Sequence, residues 1–498
     1  MRPLMPTALI HPGIHLEEVS SGARAITGVE TSMTMFVGWT PRGATGRAQS
    51  IASFTDYQRT FGGLDSRSFL GHAVQHFYDN GGSAACIVRL VAADAATAGA
   101  IHGTLSFVAA SAGQWANGFA VRTTRSRLSD DRFQLDVLDT TNGSAVIESY
   151  QNLSIDPGDP QARYLEAIVN ARSELLSVTT MGPTAPVDGT SALSGGNDGT
   201  VLLPGSSAFH AALARSFEGN AIIEDLDLVN LVCVPGESDA TTLAMLQGWC
   251  RKHRAFLIVD ADRAATVQSL LDGTTAVPTG PDAFNSAVFF PWVRAPDPLQ
   301  GGVLASFPPS GFVAGVFARI DTARRVWTAP AGKDALLNGA AGLAVEINEA
   351  QNSRLNPKAV NCLRTFPAYG NLVWGSRTLH GQDERGSEWK FIPVRRTALF
   401  LEETLSRGTQ WAAFEPNDET LWSQIRKSVG DFLQGLFRQG AFRGSTPREA
   451  YFVKCDSETT TKADIELGVV NIQIGFAPLK PAEFVIINLQ QAAGNAPT

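Results

Sequence analysis

Hydrophobic and polar residues follow two different rhythms along this chain. Near the C-terminus Val470, Ile472, Ile474 and Phe476 alternate with Asn471, Gln473 and Gly475, the period of two expected of a strand with one face in water. Phe133, Leu135 and Val137 alternate in the same way with Gln134 and Asp136. Residues 107–149 read as short strands around a turn at Asn142-Gly143, which predicts a small, mainly β module. Farther on, the rhythm changes to strand and helix in turn: an apolar run at 229–234, a helical pattern at 239–252 and a second apolar run at 255–260. That succession predicts an α/β body. A strongly amphipathic helix follows, with Asn417 placed to cap it, Asp418 and Glu419 in its first turn, and Gly440 placed to end it. Its apolar face is Trp422, Ile425, Val429, Phe432, Leu433 and Leu436.

Both ends of the chain carry isolated β-prone stretches. Ile14 and Leu16 alternate with His15 and Glu17, followed by Glu18 and Val19, after Pro12-Gly13. Phe484, Val485, Ile486, Ile487, Asn488 and Leu489 form a nearly continuous apolar run. Neither stretch can satisfy its own backbone, so each is predicted to join a sheet edge. Two compositional breaks divide the interior: an Ala-rich passage at 92–100 and a Gly/Pro/Ser/Thr-rich passage at 181–205, read as a linker or exposed loop.

Length and charge narrow the function classes. At 498 residues the chain is too long for one core and predicts about three domains. Charged residues make up 18%, below the usual figure of about 25%, so much of the surface is expected to be buried by something else, self-assembly being one candidate. The balance of 40 basic against 48 acidic residues gives −8, which argues against nucleic acid as a partner. No apolar run approaches the length of a membrane span, no secretory leader is readable, and synthesis in the cytoplasm is expected. Cys86, Cys233, Cys250, Cys362 and Cys455 are scattered and odd in number, and are expected to be reduced and mostly packed. Basic residues must then act locally. Between residues 421 and 448 there are five (Arg426, Lys427, Arg438, Arg443, Arg448) against one acidic residue, Asp431. Lys427 and Arg438 fall on the side of the helix away from its apolar face, a surface suited to an acidic partner.

Catalytic chemistry is thinly represented. The nucleophile-elbow, dinucleotide and zinc-protease motifs are missing, and Gly332-Lys333 lacks the upstream glycine of a phosphate-binding loop. His72 and His76 are spaced to share a metal, but no third ligand lies near in sequence, and they read as packed or surface histidines. Asp260 and Asp262, after an apolar strand, are the one enzyme-like pair, and a metal-dependent α/β enzyme built on them is the alternative reading. No cofactor is expected.

At both ends the chain resembles contractile tail sheath proteins of phages and related contractile injection systems. The N-terminal likeness lies in PGIHLEEV (12–19), GVETS (28–32), FVGWTPRG (36–43), FGGL (61–64) and FYDNGGSAACIVRL (77–90). The C-terminal likeness lies in LNPKAVNCLRTFPAYGNLVWGSRTL (355–379), FIPVRRTALFLEETL (391–405), FEPND (414–418) and FAPLKPAEFVIINL (476–489). Residues 101–190 share none of it. The resemblance implies a mixed α/β multidomain chain: an N-terminal arm at 1–22, an inner assembly domain at 23–91 and 345–480, a middle domain at 92–100 and 191–344, a variable outer domain at 101–190, and a C-terminal arm at 481–498. It also implies a non-enzymatic subunit that polymerises as stacked hexameric rings around an inner tube, sister sheath isoforms being left open. Contraction would drive the tube through a target membrane. Baseplate and terminator or cap proteins are the further partners it implies; the finished particle, a phage tail or injection system, is the destination, and the sheath itself does not enter the membrane. The residues of the two terminal stretches are expected to exchange strands with neighbouring subunits, and Arg426, Lys427, Arg438 and Arg443 to face the tube. The nearer rival is a secretion-system sheath of two different subunits, against which this one chain carries both terminal regions.

Overall fold

A computed structural model describes residues 24–126, 131–218, 226–275 and 277–483. The described residues divide into two units: residues 24–28 with 403–478, and residues 29–402 with 479–483. Together they make a mixed α/β multidomain protein.

The larger unit is built on an eight-stranded sheet in the order Gly370–Val373, Val360–Phe366, Ser286–Phe290, Phe256–Asp260, Leu231–Cys233, Thr34–Trp39, Ala85–Leu90, Ala48–Ile51. The inner pairs are parallel, and an antiparallel strand closes each edge. The central strands lack polar alternation because helices cover both faces. Ser207–Phe217 and Ala240–Lys252 pack one face through Phe209, Leu213, Leu243 and Leu246. Leu70–Asp79 and Ser310–Arg324 pack the other through Val74, Phe77, Phe312 and Val316. The predicted strand–helix–strand succession is present, with Asp239 capping its helix by accepting from the Thr242 N–H.

The strands of this sheet come from widely separated parts of the sequence. Thr34–Trp39 pairs in register with Leu231–Cys233 on one side and with Ala85–Leu90 on the other. Val360–Phe366 joins the same sheet through Ser286–Phe290. Strand identity is set by local pattern, but partner choice is set by which apolar strands can be buried on both faces together, and sequence distance does not limit it.

The stretch from Gly99 to Ala192 is mainly β, with a separate core of Phe107, Val121, Phe133, Leu135, Val137, Leu165 and Val169. A four-stranded sheet runs Gly189–Ala192, Phe119–Arg125, Phe133–Asp139, Ala145–Leu153, and a three-stranded sheet runs Gly99–His102, Leu105–Ala109, Leu176–Thr180. The passage read as a linker is partly structure: Gly189–Ala192 pairs antiparallel with residues 120–123. All five cysteines are free and buried. Among the described residues, no helix is long and apolar enough to cross a membrane.

Candidate functional site

The aspartates that carried the enzyme alternative serve the fold. Asp260 ends its strand with both oxygens engaged: Oδ1 accepts from the Ser310 N–H at 2.7 Å, and Oδ2 accepts from the Gly236 N–H at 2.9 Å and from Ser310 Oγ at 2.8 Å. Burial pushes its pKa up to about 6, against the pull of these donors. It thus satisfies the first turn of the Ser310–Arg324 helix, whose own N-cap, Pro309, offers no side-chain acceptor. Asp262 accepts from the Ala264 N–H at 2.7 Å and from Ser238 Oγ at 3.1 Å, ordinary turn chemistry. No cluster of three or more metal-ligating side chains occurs among the described residues. His72 and His76 are core side chains: His72 Nε2 lies 3.3 Å from Asp297, and His76 stacks on Phe312 at 3.9 Å. Burial drives the His76 pKa down to about 3.

The smaller unit holds the surface-facing candidates. Its main element is the Glu419–Arg438 helix, capped by Asp418, which accepts from the Leu421 N–H; Gly440 follows the helix with φ 79°. The cap is therefore Asp418 and not Asn417. Asn417 instead accepts from Trp422 Nε1 at 2.9 Å and donates to the Val469 carbonyl at 3.0 Å, pinning the helix start to a distant loop. Leu421, Trp422, Ile425, Val429, Leu433 and Leu436 are buried, while Phe432 is only partly so. Ser428, also buried, accepts the Arg24 N–H at 3.0 Å, and the Arg24 guanidinium lies 4.8 Å over the Trp411 ring.

The four basic residues expected to face a tube do not share one environment. Lys427, Arg438 and Arg443 are exposed. Arg426 is half-buried, paired with Glu419 at 2.5 Å and donating to the Cys455 carbonyl. One residue's step along a helix is about 100°, enough to separate Arg426 from Lys427.

Beside the helix lies a feature that sequence reading recovered only in part. Tyr451–Lys454 and Gln473–Phe476 form a two-stranded antiparallel sheet, in register from Tyr451↔Phe476 to Lys454↔Gln473. Tyr451 donates to Gln434 of the helix at 2.8 Å. No third strand pairs with either edge among the described residues, and Phe452 is 57% exposed. The alternation at 470–476 marked one strand, yet only Gln473–Phe476 pairs. Asn471 gives its N–H to Thr460 Oγ1 at 3.0 Å and leaves the ladder. The partner strand is four residues long, too short for alternation to stand out. Ile14, His15, Leu16, Glu17, Glu18 and Val19, and Phe484, Val485, Ile486, Ile487, Asn488 and Leu489, lie outside the described residues.

Comparison with known proteins gives one answer. Residues 219–379 match the model of the phage tail sheath protein central domain, and residues 384–492 match that of the phage tail sheath C-terminal domain. The tail sheath protein of Enterobacteria phage T4 is 26% identical over 191 residues, 38% of this chain, and the match spans only 28% of that relative. The fold matches the sheath of the extracellular contractile injection system PVC in its contracted state, at a TM-score of 0.61 and 23% identity, over 98% of this chain and 99% of that one. It matches the contracted helical sheath of the anti-feeding prophage at 0.58 and 22%, over 98% and 100%. The sheath tail protein from Listeria innocua aligns at 0.63 and 12%, over 91% and 96%. Two sheath models in chain order cover more than half of the residues, and a sheath fold runs along nearly the whole length; the chain belongs to the contractile tail sheath family.

Proposed function

We propose that this chain is the repeating subunit of a contractile sheath that polymerises as stacked hexameric rings around an inner tube and shortens to drive the tube through a target membrane. The observation that carries the reading is the two-stranded sheet Tyr451–Lys454/Gln473–Phe476, whose outer edges have no strand partner among the described residues. Two strands alone are marginally stable in water, and open edges recruit further strands. The β-prone stretches at 14–19 and 484–489 supply what those edges lack. Strands donated from one copy to the next add main-chain hydrogen bonds without a preformed pocket. A head-to-tail contact of that kind propagates into an open helix. Chain connectivity of this sort survives sliding and rotation of the bodies during contraction.

Lys427, Arg438 and Arg443 form the tube-facing set in this proposal, with Arg426 half-buried and engaged by Glu419. Exposed charges act over about 8 Å at physiological ionic strength, so the contact guides assembly and is released without breaking a packed interface. Baseplate and terminator proteins would bound the polymer at its ends.

Electron microscopy of the full chain expressed with its tube protein tests both elements. Deleting residues 1–20 is expected to leave soluble, folded protein that forms no tubes; long tubes from the truncation would refute strand exchange. The double variant Lys427→Glu/Arg438→Glu is expected to fold normally, since both side chains are exposed, and to decorate tubes about tenfold less at 0.15 M salt. Decoration at the wild-type level would remove these residues from the tube contact.

A further inference from the structure

Arg377 is a charged side chain in a place where charge is expensive. Its side chain is 1% exposed, and an arginine does not shed its proton to relieve burial. Nε and Nη2 donate to the two oxygens of Glu483 at 2.7 and 2.6 Å, the paired geometry that matches a carboxylate. Nη1 donates to Asp383 at 2.9 Å and to the carbonyls of Asn356 at 3.0 Å and Gly381 at 3.1 Å. Asp383 is shared with Lys390, whose Nζ lies 2.7 Å away, and its side chain is 48% exposed, so it supplies only part of the counter-charge. Burial works against the arginine's charge, but the two carboxylates outweigh it and its pKa is raised.

The socket is fixed to the large sheet. Asn361, fully buried in the Val360–Phe366 strand, accepts the Arg377 N–H at 2.7 Å and donates to its carbonyl at 2.8 Å. Gly375 permits this approach, because a Cβ there would stand 2.7 Å from the Asn361 Cα. Glu483, held by the socket, immediately precedes Phe484, the first residue of the apolar C-terminal stretch.

We infer that Arg377 and Glu483 form a root clamp that ties the C-terminal stretch to its own subunit, so that strand donation begins at Phe484 and tension on the donated strand is carried through Asn361 into the eight-stranded sheet. This rests on the strand-exchange reading above. It also constrains the partner: consecutive Cα atoms are about 3.8 Å apart, so the acceptor edge on the neighbouring copy passes directly beside the socket. A charged pair suits the task, because breaking it strands a buried guanidinium and pulling the strand alone does not release it.

The test uses the full chain with a nitroxide label at Ala482→Cys, an exposed position next to the clamp; the native cysteines are buried and do not compete. Glu483→Gln preserves size and removes the charge. In unassembled protein the clamp predicts an immobilised label, with a mobile fraction that rises about tenfold in Glu483→Gln, as expected for loss of a charge-assisted bond. An unchanged spectrum would overturn the clamp. In sheaths grown on the tube protein, Glu483→Gln is expected to come apart at markedly lower urea than wild type; equal resistance would overturn its role in carrying load. Deleting 484–498 separates the two ideas: sheaths that still grow would refute strand exchange, while the label spectrum would still decide the clamp.

Discussion

Replacing Asp321 by alanine is expected to lower the stability of the sheet-bearing unit by about 3–5 kcal/mol, the range for removing one partner of a buried ion pair. Asp321, near the end of the Ser310–Arg324 helix, meets Arg396 through two bonds, at 2.9 and 2.5 Å, and both side chains are 3% exposed. Thr31 completes the group: its Oγ1 donates to Asp321 at 2.7 Å and its carbonyl accepts from Arg396 at 2.8 Å. The Arg396 guanidinium also lies 5.0 Å from the Phe317 ring centre. Without the carboxylate, the permanently charged guanidinium keeps one carbonyl and one aromatic face, with no anion paired to it among the described residues. The effect should appear as a lower urea midpoint for the full chain, followed by tryptophan fluorescence. Replacing the pair together, Asp321→Leu with Arg396→Met, should recover most of the loss, because the charge is removed with its partner. A single Asp321→Ala variant within 1 kcal/mol of wild type would show that the carboxylate is not the counter-charge. The group also fixes where the chain enters the larger unit, since Thr31 stands just before the Thr34–Trp39 strand.

What the sequence made legible follows from what periodicity can encode. The central strands announced themselves because burial on both faces requires unbroken apolar runs, and Phe256–Asp260 is buried throughout. Which strands pair was not legible. Thr34 and Leu231 are partners across nearly two hundred residues, and no local pattern carries that information. The amphipathic helix was legible, but its cap was read one residue early. Asn417 and Asp418 are both competent caps, and the choice depended on Trp422 and Val469 claiming the Asn417 amide. Charge was the least legible property. Lys427 and Arg426 are neighbours in sequence, yet one faces solvent and the other satisfies Glu419 and a backbone carbonyl. Arg377, within the sheath-like stretch at 355–379, looks like any surface arginine until the fold brings Glu483 to it from 106 residues away. Asp260 shows the reverse error. A carboxylate after an apolar strand is the usual place for a catalytic metal ligand, and here the same position holds a helix start.

That anchoring makes a glycine substitution the second severe change. Gly311 and Gly315 lie one turn apart on the Ser310–Arg324 helix and meet the Leu70–Asp79 helix at backbone contact. A Cβ at 311 would stand 2.4 Å from the Ala73 carbonyl oxygen and 2.6 Å from the Ala73 Cα; at 315 it would stand 2.5 Å from the Phe77 carbonyl oxygen. None of these is a flexible side-chain tip, so the helices must separate. The Ser310–Arg324 helix has little room to yield, since Asp260 holds both the N–H and the hydroxyl of Ser310. The displacement therefore falls on Leu70–Asp79, pulling Val74 and Phe77 away from Phe312 and Val316 in the core. Ala is favoured over Gly inside a helix by about 1 kcal/mol, which works in the opposite direction, whereas overpacking of this kind costs about 1–3 kcal/mol and more when backbone must move. The balance predicts that Gly311→Ala destabilises the unit by about 2 kcal/mol and that Gly311→Leu prevents accumulation of soluble chain. Urea unfolding of Gly311→Ala decides the sign: a gain in stability would mean that propensity governs this position and that the two helices are not in backbone contact.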